Sequence, residues 1–374
     1  MTDRRSVGMS FIDPRSMVFW VFAALTAYGL IHIMPLISRS VIAFPAQGFV
    51  SSALWIAYGL ILATIIYRLE LFDRRSPLTM LGAFVWGAVV VAGIGTVAAP
   101  AMHDIVASML GESQQDWVAA FAAPLVEEPL KMLGIVALAF IPGARIRTPM
   151  DGLFFGLIVG LGFEVTESLL YTLQGAIQQG GSYTMIVMTF VLRGVVGGLW
   201  NHPTFSAITG AGVGYFFGST ASAAKRWAVM LGSLLAAMVL HGFFDTPLFE
   251  NGNPFITSVV KGLPALLLLV ILYRSAQGRE RDRFTRTGAD SVPSDLISAD
   301  ELDALATRRG RKKARRSERK ANGLAAGHAL RRLHRSQVEL IDSIDEDGTD
   351  SERAHEAAEQ VREARSILAE LGSA

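Results

Sequence analysis

The chain has 374 residues, of which 51% are hydrophobic and 18% are charged, and its formal net charge is +1. A soluble domain carries about 25% charged residues, so this chain has fewer than expected. Those it has are unevenly placed, because 38 of them fall in the 97 residues after Gln277. An apolar body therefore precedes a highly charged tail. The absence of cysteine excludes a disulfide-stabilised scaffold. The unbroken apolar runs exclude a transmembrane β-barrel, whose strands alternate in polarity.

The apolar body contains runs that are long enough to cross a bilayer, which takes about 20 helical residues. They predict an all-α, polytopic membrane bundle of about eight transmembrane spans in residues 1–277, followed by a charged cytoplasmic tail in residues 278–374 that is partly helical and partly disordered. The first run is too long for a signal-peptide core and is expected to be retained. The eight runs are Met17–Ser38, Gly48–Tyr67, Leu78–Ala101, Asp116–Ile141, Asp151–Tyr171, Thr184–Gly218, Trp227–Phe249 and Pro254–Tyr273.

The orientation of the spans depends on the run Thr184–Gly218, which contains Asn201-His202-Pro203 and is either two spans or one broken span. Counted once, it brings the short basic segments and the basic tail to the same side of the membrane. Because basic residues favour the cytoplasmic side, both termini are predicted to be cytoplasmic. The basic residues used are Arg4, Arg5 and Arg15 before the first span, Arg68, Arg74 and Arg75 after the second, Arg145 and Arg147 after the fourth, and Lys225 and Arg226.

The fourth span carries two acids and one amine, Glu127, Glu128 and Lys131. Each ionisable group at the bilayer centre costs about 2.5–3.5 kcal/mol on insertion scales. At 100° per residue Lys131 lies about 40° from Glu127 and about 60° from Glu128. A buried structural ion pair would need only one of the acids, so the second acid favours a functional site.

Two later spans also carry paired ionisable residues. The fifth contains Glu164 and Glu167 on one helical face, and the seventh contains His241 and Asp245 at i, i+4. An aspartate so placed holds an imidazole in one tautomer, although a structural pair would have the same spacing. The three clusters lie at similar depths in their spans, and we expect them to converge on one water-containing pocket in the outer half of the bilayer.

The broken span adds two candidate pocket residues, Arg193 and His202. Nine positions apart, they would lie on opposite faces of a straight helix. The intervening glycines and Pro203 disfavour a straight helix, so both side chains are placed as candidates for the same pocket.

The segments EEPLK, FEVTE and HGFFD resemble the motifs EExxK, FExxE and HxxxD of the PrsW family of bacterial intramembrane proteases. The resemblance extends from Phe121 to about Phe249, within a predicted protease core of about residues 116–249. The family is related to the CAAX prenyl proteases and the bacteriocin-processing enzymes. The resemblance implies a helical bundle in a bacterial-type plasma membrane and proteolysis of a membrane-anchored protein substrate. The family's namesake is implicated in site-one cleavage of an anti-sigma factor, which makes such a factor a candidate substrate.

Two mechanisms remain open for peptide hydrolysis, since cysteine is absent and Ser168 has no clear base. In the first, Glu127 or Glu128 activates water, and His241 stabilises the oxyanion or protonates the leaving amine. In the second, His241 with Asp245 and one or two of Glu128, Glu164 and Glu167 holds Zn²⁺ or another divalent metal, and His202 could supply a second imidazole. The candidate catalytic residues are Glu127, Glu128, Lys131, Glu164, Glu167, His241 and Asp245. They are the same whether the enzyme uses a divalent metal or no cofactor.

Two other functions fit part of the same pattern. A proton-coupled transporter also needs buried acids and bases, but no internal repeat supports one. A non-catalytic membrane scaffold would signal through its tail. The tail contains the basic run Arg308–Lys320, which predicts contact with anionic lipid or with a cytoplasmic partner. No nucleic-acid partner is expected, because no aromatic residues interleave the basic run.

Overall fold

The computed structural model describes residues 12–69, 76–141, 144, 146–198, 200–249 and 251–372. Every regular element among these residues is helical, and they form two compact units that divide after residue 274. The helices are α1 (Met17–Ala43), α2 (Pro45–Leu69), α3 (Pro77–Val85), α4 (Ala92–Leu110), α5 (Val118–Ala139), α6 (Pro149–Gln178), α7 (Tyr183–Thr189), α8 (His202–Gly218), α9 (Ala223–Phe244), α10 (Pro254–Ser291), α11 (Ala299–Leu305), α12 (Arg308–Asp347) and α13 (Glu352–Gly372).

Seven helical segments within the described ranges are long and apolar enough to cross a membrane. The predicted span that is not among these seven is the fourth, which corresponds to α5; its 22 residues include Glu127, Glu128 and Lys131, all buried. The predicted class, an all-α multi-pass membrane protein, is confirmed. The seven segments are Met17–Ala43, Pro45–Leu69, Pro77–Leu110, Pro149–Gln178, Tyr183–Gly218, Ala223–Phe244 and Pro254–Ser291.

Helix α6 is the central helix of the first unit, and 83% of the residues in its apolar 18-residue stretch are buried. It begins with a capping box between Thr148 and Asp151, which satisfies backbone donors at the helix start. Helices α2, α3, α5, α7 and α8 all pack against it. A glycine every fourth residue lets α8 come close, since a Cβ added to Gly152, Gly156 or Gly160 would lie within 2.3 Å of a backbone oxygen of α8.

The segment Tyr183–Gly218 is a single broken traverse. It consists of α7, a π-helical segment Phe190–Gly197, a short break and then α8. Its contacts follow α6 in antiparallel order from one end to the other, so it crosses once and not twice. The contacting pairs are Met185 with Gly175, Arg193 with Ser168, His202 with Gly160, and Gly210 with Gly152.

The cytoplasmic orientation of the termini stays a prediction. Arg4, Arg5, Arg74, Arg75 and Arg145, on which it partly depends, lie outside the described residues.

The second unit consists of the end of α10 with α11, α12 and α13. Its core contains Phe284, Leu305, Leu333, Leu340 and Val361.

Helix α12 is interrupted at Gly323, whose φ of +90° is in the left-handed region that glycine adopts without strain. The chain reverses direction there, since Gly327 after the break approaches Arg319 and Arg315 before it. The two arms, residues 308–322 and 324–347, therefore form a helical hairpin whose tip is residues 322–325.

Candidate active site

Lys131 lies at the centre of a buried polar cluster. Its Nζ atom is 3.1 Å from Oε2 of Glu127, 2.9 Å from Oε1 of Glu128 and 3.0 Å from Nδ1 of His202. The ring of Phe163 on α6 covers the ammonium, with its centroid 4.2 Å from Nζ, in the geometry of a cation–π contact. The predicted pairing of Lys131 with either acid is thus made with both acids at once.

His202 connects α5 to α6 through α8. Its Nε2 atom lies 2.9 Å from Oε2 of Glu167 and 3.9 Å from Oε2 of Glu164, while Nδ1 faces Lys131. His202 is the first residue of α8, and Gly160 of α6 contacts its backbone carbonyl. The close approach of α6 and α8 therefore fixes the position of this imidazole.

His241 of α9 contacts carboxylates at both ring nitrogens. Nδ1 lies 2.9 Å from Oε1 of Glu128, and Nε2 lies 3.2 Å from Oδ2 of Asp245. The neighbouring Gly242 packs on the carbonyl of Ala120, to which an added Cβ would come within 2.5 Å. That carbonyl lacks a helical partner because Pro124 has no N–H. This contact between α5 and α9 sets His241 opposite Glu128.

Arg193 joins the cluster from the π-helical segment. Its guanidinium bonds to Oε2 of Glu167, and its Nε donates to Oγ of Ser168 over 3.0 Å. Ser168 in turn donates to Oε1 of Glu164 over 3.0 Å. The guanidinium also lies 4.2 Å from the centroid of Tyr171. Both acids of the fifth span are therefore held by the same arginine, Glu167 directly and Glu164 through a hydroxyl.

All nine residues that the sequence singled out are brought into one connected cluster. Sequence reasoning did not assign a role to the aromatic side chains that enclose it. Phe205 stacks on His241 with ring centroids 5.0 Å apart and planes at 14°, and Phe163 meets His202 edge-on at 4.8 Å. The available signals were the position of Phe163 beside Glu164 and the i, i+3 spacing of Phe205 from His202.

Four residues of the cluster could together hold a metal ion. Glu127, Glu128, His202 and His241 each offer one ligand atom, and these atoms lie within 4.8 Å of one another. This group shares His241 and Glu128 with the set that the sequence suggested. It also contains His202, which the sequence offered as a second imidazole, and Glu127, which it did not. Asp245 and Glu167 lie behind the imidazoles, each bonded to an Nε2 atom.

The donor types fit a divalent ion such as Zn²⁺. Two imidazoles and two carboxylates are ligands that zinc accepts, and an outer carboxylate on each imidazole is the usual second layer of a zinc site. Oε2 of Glu128 is buried and has no hydrogen-bond partner among the described residues, so one acceptor is unused. Lys131 contacts three of the four candidate ligands. Its ammonium and a metal ion would therefore share acceptor atoms.

A cavity of about 170 Å³ lies between α4 and α6 and reaches the cluster at Glu127 and Glu167. Glu127 is 7% exposed, whereas Glu128 and Lys131 are fully enclosed. Small residues of α4 form one wall, which leaves room beside Glu127. The other lining residues are Ala92, Gly95, Thr96 and Ala99 of α4, and Phe163, Leu170, Tyr171 and Gln174 of α6.

Comparison with known proteins agrees with the motifs. The chain is 27% identical over 148 residues to Protease PrsW of Shouchella clausii (strain KSM-K16), an alignment that covers 39% of this chain and 61% of that protein. It is 26% identical over 192 residues to Protease PrsW of Geobacillus kaustophilus (strain HTA426), covering 51% of this chain and 76% of that protein. No solved structure is significantly similar to the chain.

The sequence pattern of one protein family matches residues 75–273, which include all nine residues of the buried cluster. The match covers more than half of the 374 residues. The chain therefore belongs to the PrsW family of intramembrane metalloproteases.

Proposed function

We propose that this protein is a membrane-embedded endopeptidase that hydrolyses peptide bonds of membrane-anchored protein substrates in a bacterial plasma membrane. The observation that carries the proposal is the convergence of the acids of α5 and α6 with His202 and His241 around Lys131. A structural ion pair needs one acid and one base, whereas this cluster contains acids and bases in excess of any single pair.

Glu127 is the residue we assign to water activation. It is the acid of the EEPLK motif that lines the cavity, and it is the more exposed of the two. A carboxylate can accept a proton from a water molecule within hydrogen-bond reach. Glu128 is fully enclosed and bonded through Oε1 to both Lys131 and His241, so we assign it an orienting role.

Two cationic or donor groups adjoin Glu127 and complete the proposed chemistry. Lys131 donates to Glu127 and holds it in place. Nε2 of His241 lies 4.0 Å from Oε2 of Glu127, close enough for His241 to donate a proton to the leaving amine or to stabilise the oxyanion. Asp245, bonded to the same imidazole, fixes its orientation.

The family description implies a divalent metal, and the residues that would hold it are Glu127, Glu128, His202 and His241. Such an ion supplies a Lewis acid and lowers the pKa of bound water. The outer carboxylates Glu167 and Asp245 would then orient the two imidazoles. Glu127 would act as a metal ligand instead of as the proton acceptor.

The cavity supports lateral entry of a substrate between α4 and α6. Apart from Glu127 and Glu167, its walls are mostly apolar side chains and small residues, with Thr96, Tyr171 and Gln174 as further polar groups. An extended segment of a single-pass membrane protein could present its backbone to Glu127 there. An anti-sigma factor is the candidate substrate suggested by the family resemblance. Both termini of the protease are proposed to lie in the cytoplasm.

The proposal is tested by reconstituting the protein in nanodiscs with a library of single-pass reporter substrates. We expect cleavage by the wild type, a loss of at least about 100-fold in Glu127→Gln and His241→Ala, and no change in Glu112→Gln, a matched substitution of an exposed acid outside the cluster. Absence of cleavage in the wild type, or full activity of Glu127→Gln, would contradict the proposal.

A chelator separates the two mechanisms in the same assay. Cleavage that survives the chelator but is lost in Glu127→Gln assigns the glutamate mechanism. Cleavage that the chelator abolishes and Zn²⁺ restores assigns a metal, and His202→Ala should then also lower the zinc content of the purified protein.

A further inference from the structure

The first arm of the α12 hairpin has one uniformly basic face. At 100° per residue, the exposed lysines and arginines after Arg308 fall within an arc of about 120°, and Glu318 lies on the opposite side. Gly310 at the start of the arm is capped by Thr307, so the face belongs to a regular helix. The exposed residues are Arg309, Lys312, Lys313, Arg316, Arg319 and Lys320.

The charge of this face is not neutralised within the second unit. No carboxylate in the described part of the chain forms an ion pair with any of the six residues. Acids of α11, α12 and α13 instead pair with Arg353, Arg362 and Arg365 at other positions. The face is therefore available to an external anionic surface.

An exposed apolar side chain lies at the end of the basic face. Leu324 at the hairpin tip is 58% exposed, and it is the only large apolar residue with that much exposure in the described residues from 275 onwards. It follows Gly323, whose positive φ makes the turn. Basic residues beside an exposed leucine are typical of segments that bind the membrane interface.

We propose that the basic face of α12 docks on anionic lipid headgroups of the bilayer that contains the chain, with Leu324 entering the interface. The face lies along a single helix and lacks aromatic residues, which suits a flat array of mobile headgroups more than nucleic-acid bases. In the sequence, the second unit begins directly after the last apolar run, so few residues separate it from the bilayer.

The chain contains no cysteine, so a single Leu324→Cys substitution accepts a fluorophore in the full-length protein. The labelled protein is placed in nanodiscs whose lipids carry a quencher at the interface. One set contains phosphatidylcholine alone, and the other contains about a third phosphatidylglycerol. We expect strong quenching only in the anionic discs, and loss of quenching when salt is raised from about 0.05 M to about 1 M.

A triple neutralisation, Lys312→Gln with Lys313→Gln and Arg316→Gln, removes half of the exposed face. At about fivefold per charge, the docking equilibrium should fall about 100-fold. The matched control neutralises Arg331, Arg332 and Arg335, three exposed basic residues of the second arm, and should change docking far less. Since the three residues changed in each variant are all exposed, circular dichroism should show unchanged helicity in both variants.

Equal quenching in zwitterionic and anionic discs would overturn the proposal, as would equal losses in the two triple variants, which would indicate total charge and not this face. The proposal would also be overturned if salt did not release the label from anionic discs and only a soluble acidic protein or nucleic acid did. The face would then be assigned to that partner.

Discussion

The Nζ atom of Lys131 lies 3.0 Å from Nδ1 of His202, across 71 positions of sequence. A charged ammonium has donors and no acceptor, so Nδ1 of His202 accepts and the proton of the neutral ring resides on Nε2. Nε2 then donates to Glu167, 2.9 Å away. The contact therefore selects one tautomer of His202 and links α5 to α6 by a continuous chain of hydrogen bonds.

Replacement of His202 by glutamine should break this chain. The amide cannot reach Lys131 and Glu167 together in the geometry of the imidazole, so we expect cleavage to fall at least about 100-fold. The measurement is reporter cleavage in nanodiscs at equal protein. His32→Gln on α1, which lies outside the cluster, is the matched control and should retain activity. Wild-type activity in His202→Gln would show that this imidazole is only structural.

Gly160→Ala should disturb the same imidazole through the backbone. The added Cβ would lie 2.3 Å from the carbonyl oxygen of His202, so α8 must move away from α6. We expect a destabilisation of about 1–3 kcal/mol and a parallel loss of cleavage. Both are measured by unfolding in SDS and by the reporter assay. Gly232→Ala on α9 is the control, since an added Cβ there meets nothing within 4 Å. Equal stability of the two variants would contradict the close packing of α6 and α8.

The Arg193–Glu167 pair is suited to a double-mutant cycle. Arg193→Gln leaves Glu167 without its guanidinium in a largely enclosed site, and we expect a loss of about 1–3 kcal/mol. That range is below the value for a fully buried pair because both side chains retain some exposure. The double variant Arg193→Gln/Glu167→Gln should lose less than the sum of the two single variants. Strict additivity in SDS unfolding would mean that the two residues do not interact.

The second unit should lose stability in mild acid because of His334. Burial, together with the nearby Arg315 and Arg311, lowers the pKa of His334 to about 4, against an ordinary value of 6.5. The unfolded state therefore binds a proton between about pH 6.5 and pH 4 that the folded state does not bind. The free energy of unfolding of the second unit is therefore highest above pH 6.5 and falls by about 2–3 kcal/mol as the pH drops to 4.

Hydrogen exchange of the α12 amides, corrected for intrinsic rates, measures this loss in the full-length protein. His334→Gln removes the titrating group and should flatten the pH dependence across that interval. His328→Gln changes an exposed histidine of the same helix and should leave the profile of the wild type. A steep profile that persists in His334→Gln would assign the effect to other groups.

The sequence allowed the membrane class and the charged clusters to be predicted because both depend on local pattern. Runs of apolar residues identify spans, and helical spacing alone places Lys131 between Glu127 and Glu128. The pairing of Arg193 with Glu167 and of His202 with Lys131 depends on where the broken span bends. That bend follows from packing between distant residues, since Gly194 contacts Trp55 and Gly198 contacts Tyr58, and spacing does not encode such contacts.

The set of residues that could hold a metal illustrates the same limit. The i, i+4 spacing placed Asp245 beside His241 and left two roles open for it, orienting the imidazole or binding an ion together with it. In three dimensions Asp245 is behind the ring of His241, bonded to Nε2, and Nδ1 faces the cluster. The rotation of an imidazole about its side-chain bonds is decided by its neighbours, here Glu128 and the stacked ring of Phe205.

Helix α8 begins at His202, within a cluster that contains five carboxylates and only two permanently cationic side chains, Lys131 and Arg193. The start of a helix carries about half a positive charge from its aligned peptide dipoles. The backbone of α8 therefore adds a fixed positive potential where acidic side chains are most crowded. Negative charge that develops on a peptide oxygen near His202 would be stabilised by this dipole without any side chain having to move.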